Sequence, residues 1–233
     1  MLMIGRSYHL LLYSEIILSV SIGSGENVAK SKSSKGWLKE HFDDQYVKMS
    51  QEDGVRSRAV YKLMEIDQKD KLIKPSIRVV DLGAAPGGWS EYVAKKLSDK
   101  GVIVATDILP MDYLEGVNFV QGDFREDHVL QNILDQLENN GVDLVLSDMA
   151  PNITGVDSID QPTSMYLVEL ALDFACQTLN KQGEFLVKVF QGSGFDEYLK
   201  CVRERFNSVK IRKPKASRAR SREVYILAQG FKG

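Results

Sequence analysis

Seven short runs of mainly apolar, often β-branched residues punctuate the chain between Ile77 and Ala228, at 77–82, 102–106, 117–120, 142–147, 183–190, 209–212 and 223–228. Such runs, bounded by Gly, Pro and Asp, predict strands, and the near-continuous ones predict strands covered on both faces. Between them apolar positions fall three and four apart, which predicts helices over 89–97, about 125–138, about 162–179 and 195–206. Strands alternating with helices at this spacing predict a mainly parallel sheet with helices on both faces. The last two runs lie too close for a crossover helix, so they should pair as a hairpin and set one antiparallel strand in the sheet. Upstream, 37–71 keeps helical spacing, with Val60, Leu63, Met64 and Ile66 recurring along it. The chain thus reads as one domain over 34–233, a helical segment (34–74) ahead of a doubly wound core (75–233).

Composition narrows the class without naming it. At 233 residues, 43% hydrophobic and 27% charged, the chain is long enough to bury a full core, and disorder, collagen and a multispan membrane protein are excluded. Residues 1–33 stand apart. Their apolar stretch, His9 to Val20, follows a single Arg6 and is interrupted by Glu15. It is neither a regular signal peptide nor long enough to span a bilayer, so it reads as an extension outside the domain. Ser21 to Lys35 reads as a polar linker. Two cysteines, Cys176 and Cys201, make no disulfide framework and fit a reducing compartment; His9, His41 and His128 are too scattered for a metal site.

The formal net charge of −2 conceals a segregation. Ten of the 30 Lys and Arg residues, with one acid, Glu204, lie between Lys200 and Arg222, which leaves 20 basic against 31 acidic residues elsewhere. Such a stretch is either solvated surface or a polyanion contact. A second basic group, Lys30, Lys32, Lys35 and Lys39 with Arg56 and Arg58, precedes Lys62.

Ligands of open α/β sheets bind beyond the carboxyl ends of the strands. The loop Asp81-Leu-Gly-Ala-Ala-Pro-Gly-Gly-Trp89 follows the first strand. Its glycines at 83, 87 and 88 match neither the G-x-G-x-x-G dinucleotide fingerprint nor a P-loop. With Asp81 before it, the loop suits a ligand carrying positive charge better than a pyrophosphate. Asp107 ends the second strand 24 residues past Gly83, where an acid commonly bonds ribose hydroxyls. Asp123 follows the third strand, and Asp148 ends the fourth. One acid at a strand end is ordinary helix capping. Acids after four successive strands converge and repel, which implies a cationic or hydroxyl-rich ligand.

The segment 81–90, Asp-Leu-Gly-Ala-Ala-Pro-Gly-Gly-Trp-Ser, resembles the S-adenosylmethionine loop of the FtsJ/RrmJ family of ribose 2′-O-methyltransferases. The likeness continues through Arg56-Ser-Arg-Ala (56–59), Ser147-Asp-Met-Ala-Pro-Asn (147–152), 165–172, Val187-Lys-Val-Phe-Gln-Gly (187–192) and 217–225. Order and spacing are kept from about Ser34 onward. The resemblance implies a Rossmann-like class I S-adenosylmethionine-dependent methyltransferase fold, with a mainly parallel seven-stranded sheet, one antiparallel strand and helices on both faces. It implies S-adenosylmethionine as cofactor, contacted by Gly87, Trp89, Asp107, Asp123 and Asp148, with Asp107 at the ribose and Asp123 near the adenine amino group. The implied substrate is the ribose 2′-hydroxyl of a uridine in large-subunit (23S) ribosomal RNA, on the assembled large subunit. The implied enzyme is a cytoplasmic monomer with no membrane attachment and no metal. Met1 to about Lys32 has no counterpart in the pattern.

The resemblance also implies a catalytic set, Lys62, Asp148, Lys188 and Glu223. Residue chemistry singles out two of these by itself. Lys188 lies inside the apolar run Phe185 to Phe190, and Glu223 opens the apolar strand Val224 to Ala228, where burial of a charge needs a partner or a function. A structural ion pair would satisfy the same pattern. Methyl transfer is an in-line displacement whose rate depends on alignment, and a ribose hydroxyl is a poor nucleophile until it loses its proton. Lys188 is assigned as general base, which requires it to arrive neutral. Asp148 is expected to orient Lys188, with Lys62 and Glu223 positioning the ribose. Because the basic run ends at Glu223, Lys210, Arg212, Lys213, Arg218, Arg220 and Arg222, together with Arg56 and Arg58, are expected to contact the RNA backbone. Three rivals stand beside this reading. A nicotinamide oxidoreductase lacks its glycine fingerprint, and a non-catalytic RNA-binding module has no need of four intact ionisable residues. A protein or small-molecule methyltransferase leaves the basic stretch unexplained.

Overall fold

The computed structural model describes residues 45–98, 100–138 and 140–233. The extension over 1–33, the linker, and Lys30, Lys32, Lys35 and Lys39 lie outside the described residues. The strands are β1 (Arg78–Leu82), β2 (Val102–Asp107), β3 (Asn118–Gln121), β4 (Val142–Ser147), β5 (Leu179–Phe190), β6 (Phe206–Arg212) and β7 (Glu223–Phe231). They form one sheet in the order β3-β2-β1-β4-β5-β7-β6. Pairing is parallel from β3 through β5, and β7 runs antiparallel to both of its neighbours. The expected hairpin is therefore present, with β7 inserted between β5 and β6.

The helices are α1 (Gln45–Glu52), α2 (Val60–Asp70), α3 (Gly88–Leu97), α4 (Asp127–Gln136), α5 (Asp157–Thr178) and α6 (Phe195–Arg205). Side chains alternate along each strand, so the sheet feeds two cores. Val79, Ile103, Leu144, Leu186 and Tyr225 pack on α2 and α3 through Leu63, Ile66, Trp89 and Val93. Val80, Val104, Val145, Phe185 and Ile226 pack on the other side against α4, α5 and α6. Two residues beyond Leu186, Lys188 shares the α2–α3 face. The chain winds away from β1 in both directions, through β2 to β3 and through β4 to β5. The crevice outside β1 and β4 is thus the switch point where such folds hold ligands.

Three elements depart from the pattern reading. Within the described part of 37–71 there are two helices, because Gly54 takes φ +64° after α1. Helix α5 starts five residues ahead of Pro162 and runs through it. A proline this early removes one intrahelical donor without breaking the helix. Strand β5 starts at Leu179, pairs with Val142, and shifts register before Glu184 pairs with Leu144. The irregular residues between resemble a helix end in sequence and form a bulge in space.

Candidate active site

The loop after β1 is built around glycine. Gly83 has φ +74°, and a Cβ there would lie 2.4 Å from Cγ of Met149, the residue after Asp148. The β1 and β4 ends therefore meet with room for a hydrogen only. Gly87, with φ +101°, starts α3, and a Cβ there would lie 2.9 Å from Met111 Sδ. Asp107 is held by two amides: Oδ2 accepts from Ala85 and Oδ1 from Leu109, each at 2.9 Å. Each oxygen keeps a lone pair for a further donor. Asp123 stands beside it, with Gly122 N–H donating to the Asp107 carbonyl at 2.9 Å. Its carboxylate is gripped by Arg125, whose Nε donates at 2.8 and 2.9 Å, and these bonds hold Asp123 below the usual carboxylate range. The Trp89 ring is buried, donates Nε1–H to the Ala59 carbonyl at 2.8 Å, and lies 5.9 Å from the Tyr225 ring. With its ring committed to the core, Trp89 has only its backbone, in the first turn of α3, to offer a ligand.

Below the loop, Asp81 is 1% exposed and accepts Ser90 Oγ–H at 2.7 Å. Burial pushes its carboxyl up to about 7 against that hydrogen bond, and the charges of Asp148 and Asp107 add to the rise. Acids at the strand ends thus feel one another, as their convergence predicts.

Lys62, Asp148, Lys188 and Glu223 come together from four elements. Lys62 Nζ lies 2.8 Å from Glu223 Oε1 and 2.9 Å from Oε2. Lys188 Nζ lies 3.0 Å from Asp148 Oδ1 and also donates to the Asp148 carbonyl. Lys62, Lys188 and Glu223 are 6, 7 and 8% exposed, so neither pair is a surface contact. Burial works to raise Asp148, but Lys188 and Lys62, with bonds from Tyr225 and Lys188, outweigh it and keep the carboxyl below its usual range. Lys62 also occupies the third position of α2, where a cation opposes the helix dipole by roughly 0.3–1 kcal/mol. Glu223 offsets that cost.

Two polar residues outside the sequence-derived set complete the network. Tyr225 donates its hydroxyl to Asp148 Oδ1 at 2.7 Å, and Lys62 Nζ sits 5.8 Å from its ring centroid. Burial carries the Tyr225 hydroxyl far above its ordinary pKa, so it stays a donor. The signal was available, since Tyr225 lies two residues after Glu223 and shares its face. Ser217 donates Oγ–H to Glu223 Oε1 at 2.7 Å. Ser217 opens the segment 217–225 of the family likeness, but its residue type alone assigns it no role.

The eight basic residues of the sequence reading divide. Arg212 forks onto Asp70 at 2.6 and 2.7 Å, while Lys210 reaches Gln229 at 2.8 Å and Asp70 at 3.5 Å. Lys213 donates to the carbonyls of Ser221 at 2.7 Å and Glu223 at 2.5 Å, closing the β6–β7 loop. Arg56 ties that same kind of seam on the opposite rim, donating to the carbonyls of Pro86, Asp112 and Tyr113. Arg58 reaches the Ala216 carbonyl at 3.5 Å. Arg218, Arg220 and Arg222 border a cavity next to the tetrad, with Arg222 held by Asp157 at 2.8 Å.

A glycine-walled crevice at the β1/β4 switch point, fringed by acids and adjoining two buried lysine–carboxylate pairs, lies in a seven-stranded sheet of the Rossmann-like methyltransferase class. A model of the FtsJ-like methyltransferase family matches residues 55–231, and the chain belongs to that family. A protein of Chromohalobacter salexigens named ribosomal RNA large subunit methyltransferase E is 65% identical over 203 residues, covering 87% of this chain and 97% of that one. One of the same name from Hahella chejuensis is 59% identical over 206 residues, covering 88% and 100%. Among solved structures, a ribosomal RNA methyltransferase of Plasmodium falciparum superposes with a TM-score of 0.69 at 30% identity, over 76% of this chain and 99% of that one.

Proposed function

We propose that this methyltransferase transfers a methyl group from S-adenosylmethionine to the ribose 2′-hydroxyl of a uridine in large-subunit (23S) ribosomal RNA, on the assembled subunit, with Lys188 as proton acceptor. The observation that carries the reading is the pair of buried contacts, Lys188–Asp148 and Lys62–Glu223, beside the acid-fringed crevice. The names of the two close relatives support ribosomal RNA as the substrate.

The crevice suits S-adenosylmethionine. The passage between Gly83 and Met149 admits no side chain, and Asp107 offers two fixed acceptor oxygens. Asp107 would take the ribose hydroxyls, Asp123 the amino edge of the adenine, and the backbone of Gly87 and Trp89 the amino-acid end. Asp148, whose carboxyl lies below its usual range, would supply negative charge beneath the sulfonium. When bound, the cofactor supplies a methyl group on a positively charged sulfur.

The chain's own residues do the rest. Asp148 holds Lys188 through both its carboxylate and its carbonyl, so the amine has one orientation. Tyr225 donates to the same carboxylate oxygen that Lys188 meets and fixes it further. Lys188, having first given up its own proton, takes the proton from the 2′-hydroxyl, which turns a poor nucleophile into a competent one. Lys62 and Glu223, the latter held by Ser217, position the ribose. Arg218, Arg220 and Arg222 meet the RNA backbone, while Arg56, Arg58, Lys210, Arg212 and Lys213 shape the rims that present it.

Lys188→Ala should abolish methyl transfer, a loss of at least about a thousand-fold, on the scale of removing a positioned general base and its alignment. Cofactor affinity by calorimetry should change by no more than a few-fold. Retained turnover would remove Lys188 from the mechanism.

A further inference from the structure

A cavity of about 360 Å³ adjoins the tetrad, between the loop after β4, the start of α5 and the β6–β7 loop. Arg218, Arg220 and Arg222 contribute to its lining, as do Ile153 and Phe190. Strand register links it to the chemistry. Phe190 pairs with Glu223 and lies two residues along β5 from Lys188, about 7 Å of strand. That is the reach of a single nucleotide step.

The two acids of the cavity are engaged within the protein. Asp157 pairs with Arg222, and Asp160 accepts the N–H groups of Thr154 and Gly155 at 2.8 and 2.9 Å. Meanwhile Ile153, on the cavity lining, is 68% exposed. Arginines beside bare aliphatic surface match a phosphate joined to a flat apolar group. The volume falls within the usual range for small-ligand sites, about 300–1,000 Å³.

We propose that this cavity seats the nucleotide flanking the target ribose, its phosphate at the arginines and its base against Ile153 and Phe190. The inference rests on RNA being the substrate and adds a demand on that RNA. The flanking base must leave its own stack to enter, because a stacked base has no free face to offer. The target therefore lies in an unpaired segment, and the enzyme reads the looseness of its neighbour in addition to the 2′-hydroxyl.

Equilibrium binding separates this inference from the proposed reaction. Fluorescein-labelled pentauridylate is titrated with the full chain by anisotropy, alongside versions with an abasic ribose at either position next to the centre. Ile153→Ser and Arg220→Ala change exposed side chains, and unaltered thermal unfolding would show that each variant folds. Each should weaken binding of intact RNA about ten-fold, the size of one lost base or phosphate contact. An abasic residue at one of the two positions should cost the unchanged protein a similar factor and cost Ile153→Ser nothing further. Equal affinities throughout, or an abasic penalty undiminished in Ile153→Ser, would overturn the proposal. A methyl group found on a base instead of a ribose would overturn the proposed reaction and leave the binding result standing.

Discussion

Asp81 shows how far a single buried carboxylate can report on the site. Its pKa of about 7 lies above that of an exposed aspartate because burial, then the charges of Asp148 and Asp107, disfavour ionisation. A raised folded-state value means the native state binds the proton more tightly than the unfolded chain. The associated stability is complete below the unfolded pKa, near 4, and is lost as pH rises through 7. Asp81→Asn keeps an acceptor for Ser90 and removes the titration. Its denaturation midpoint, relative to the unchanged protein, should rise steadily from pH 4 to pH 7 and then level off. A difference independent of pH would assign the burial penalty elsewhere. Asp81 was legible as one of four strand-end acids, but its burial was not, because a residue one place before a strand end can face either core.

Helix α2 is the element on which the site depends. Lys62 engages Glu223, and three residues on, Glu65 accepts the backbone N–H groups of Lys215 and Ala216 at 2.8 and 2.9 Å. Asp70 then receives Arg212 and Lys210. One helical face therefore holds the stem of the β6–β7 loop, and with it Ser217 and Glu223. Bonds to a charged acceptor are worth roughly 1.5–3 kcal/mol when protected, and less at this half-buried site. Glu65→Ala should loosen the stem, so that trypsin cleaves at Arg218, Arg220 and Arg222 several-fold faster and turnover falls while cofactor affinity holds. Glu65→Gln, which retains an acceptor, should recover part of the turnover. Unchanged cleavage would remove Glu65 from loop positioning. The helix itself was readable from Val60, Leu63 and Ile66, yet its tethers were not. Asp70 and Arg212 are 142 residues apart in the chain, so a count of local charge could not show that Arg212 forks onto an acid of α2, or that Lys210 bonds Gln229 and reaches the same acid. The strands and their antiparallel partner were legible because apolar runs bounded by turn residues dictate them. The register shift in β5 was not, because a bulge leaves no mark on periodicity.

Across the whole molecule, the segregated charge of the sequence becomes acids at the strand ends and arginines of the β6–β7 loop on the lining of a separate cavity. If those arginines meet phosphates, replacing Arg218, Arg220 and Arg222 together with Gln should lower the slope of log affinity against log salt by about 2 for a single strand. An unchanged slope would place the phosphates elsewhere. The central claim, that the methyl group goes to a ribose hydroxyl, has a more direct test. Large subunits from cells lacking the activity are incubated with methyl-labelled S-adenosylmethionine and the full chain, and their RNA is then digested in alkali. A methylated 2′-oxygen cannot attack the adjoining phosphate, so the label should emerge in an alkali-resistant dinucleotide containing uridine. Label recovered in mononucleotides, on the base, would contradict the account.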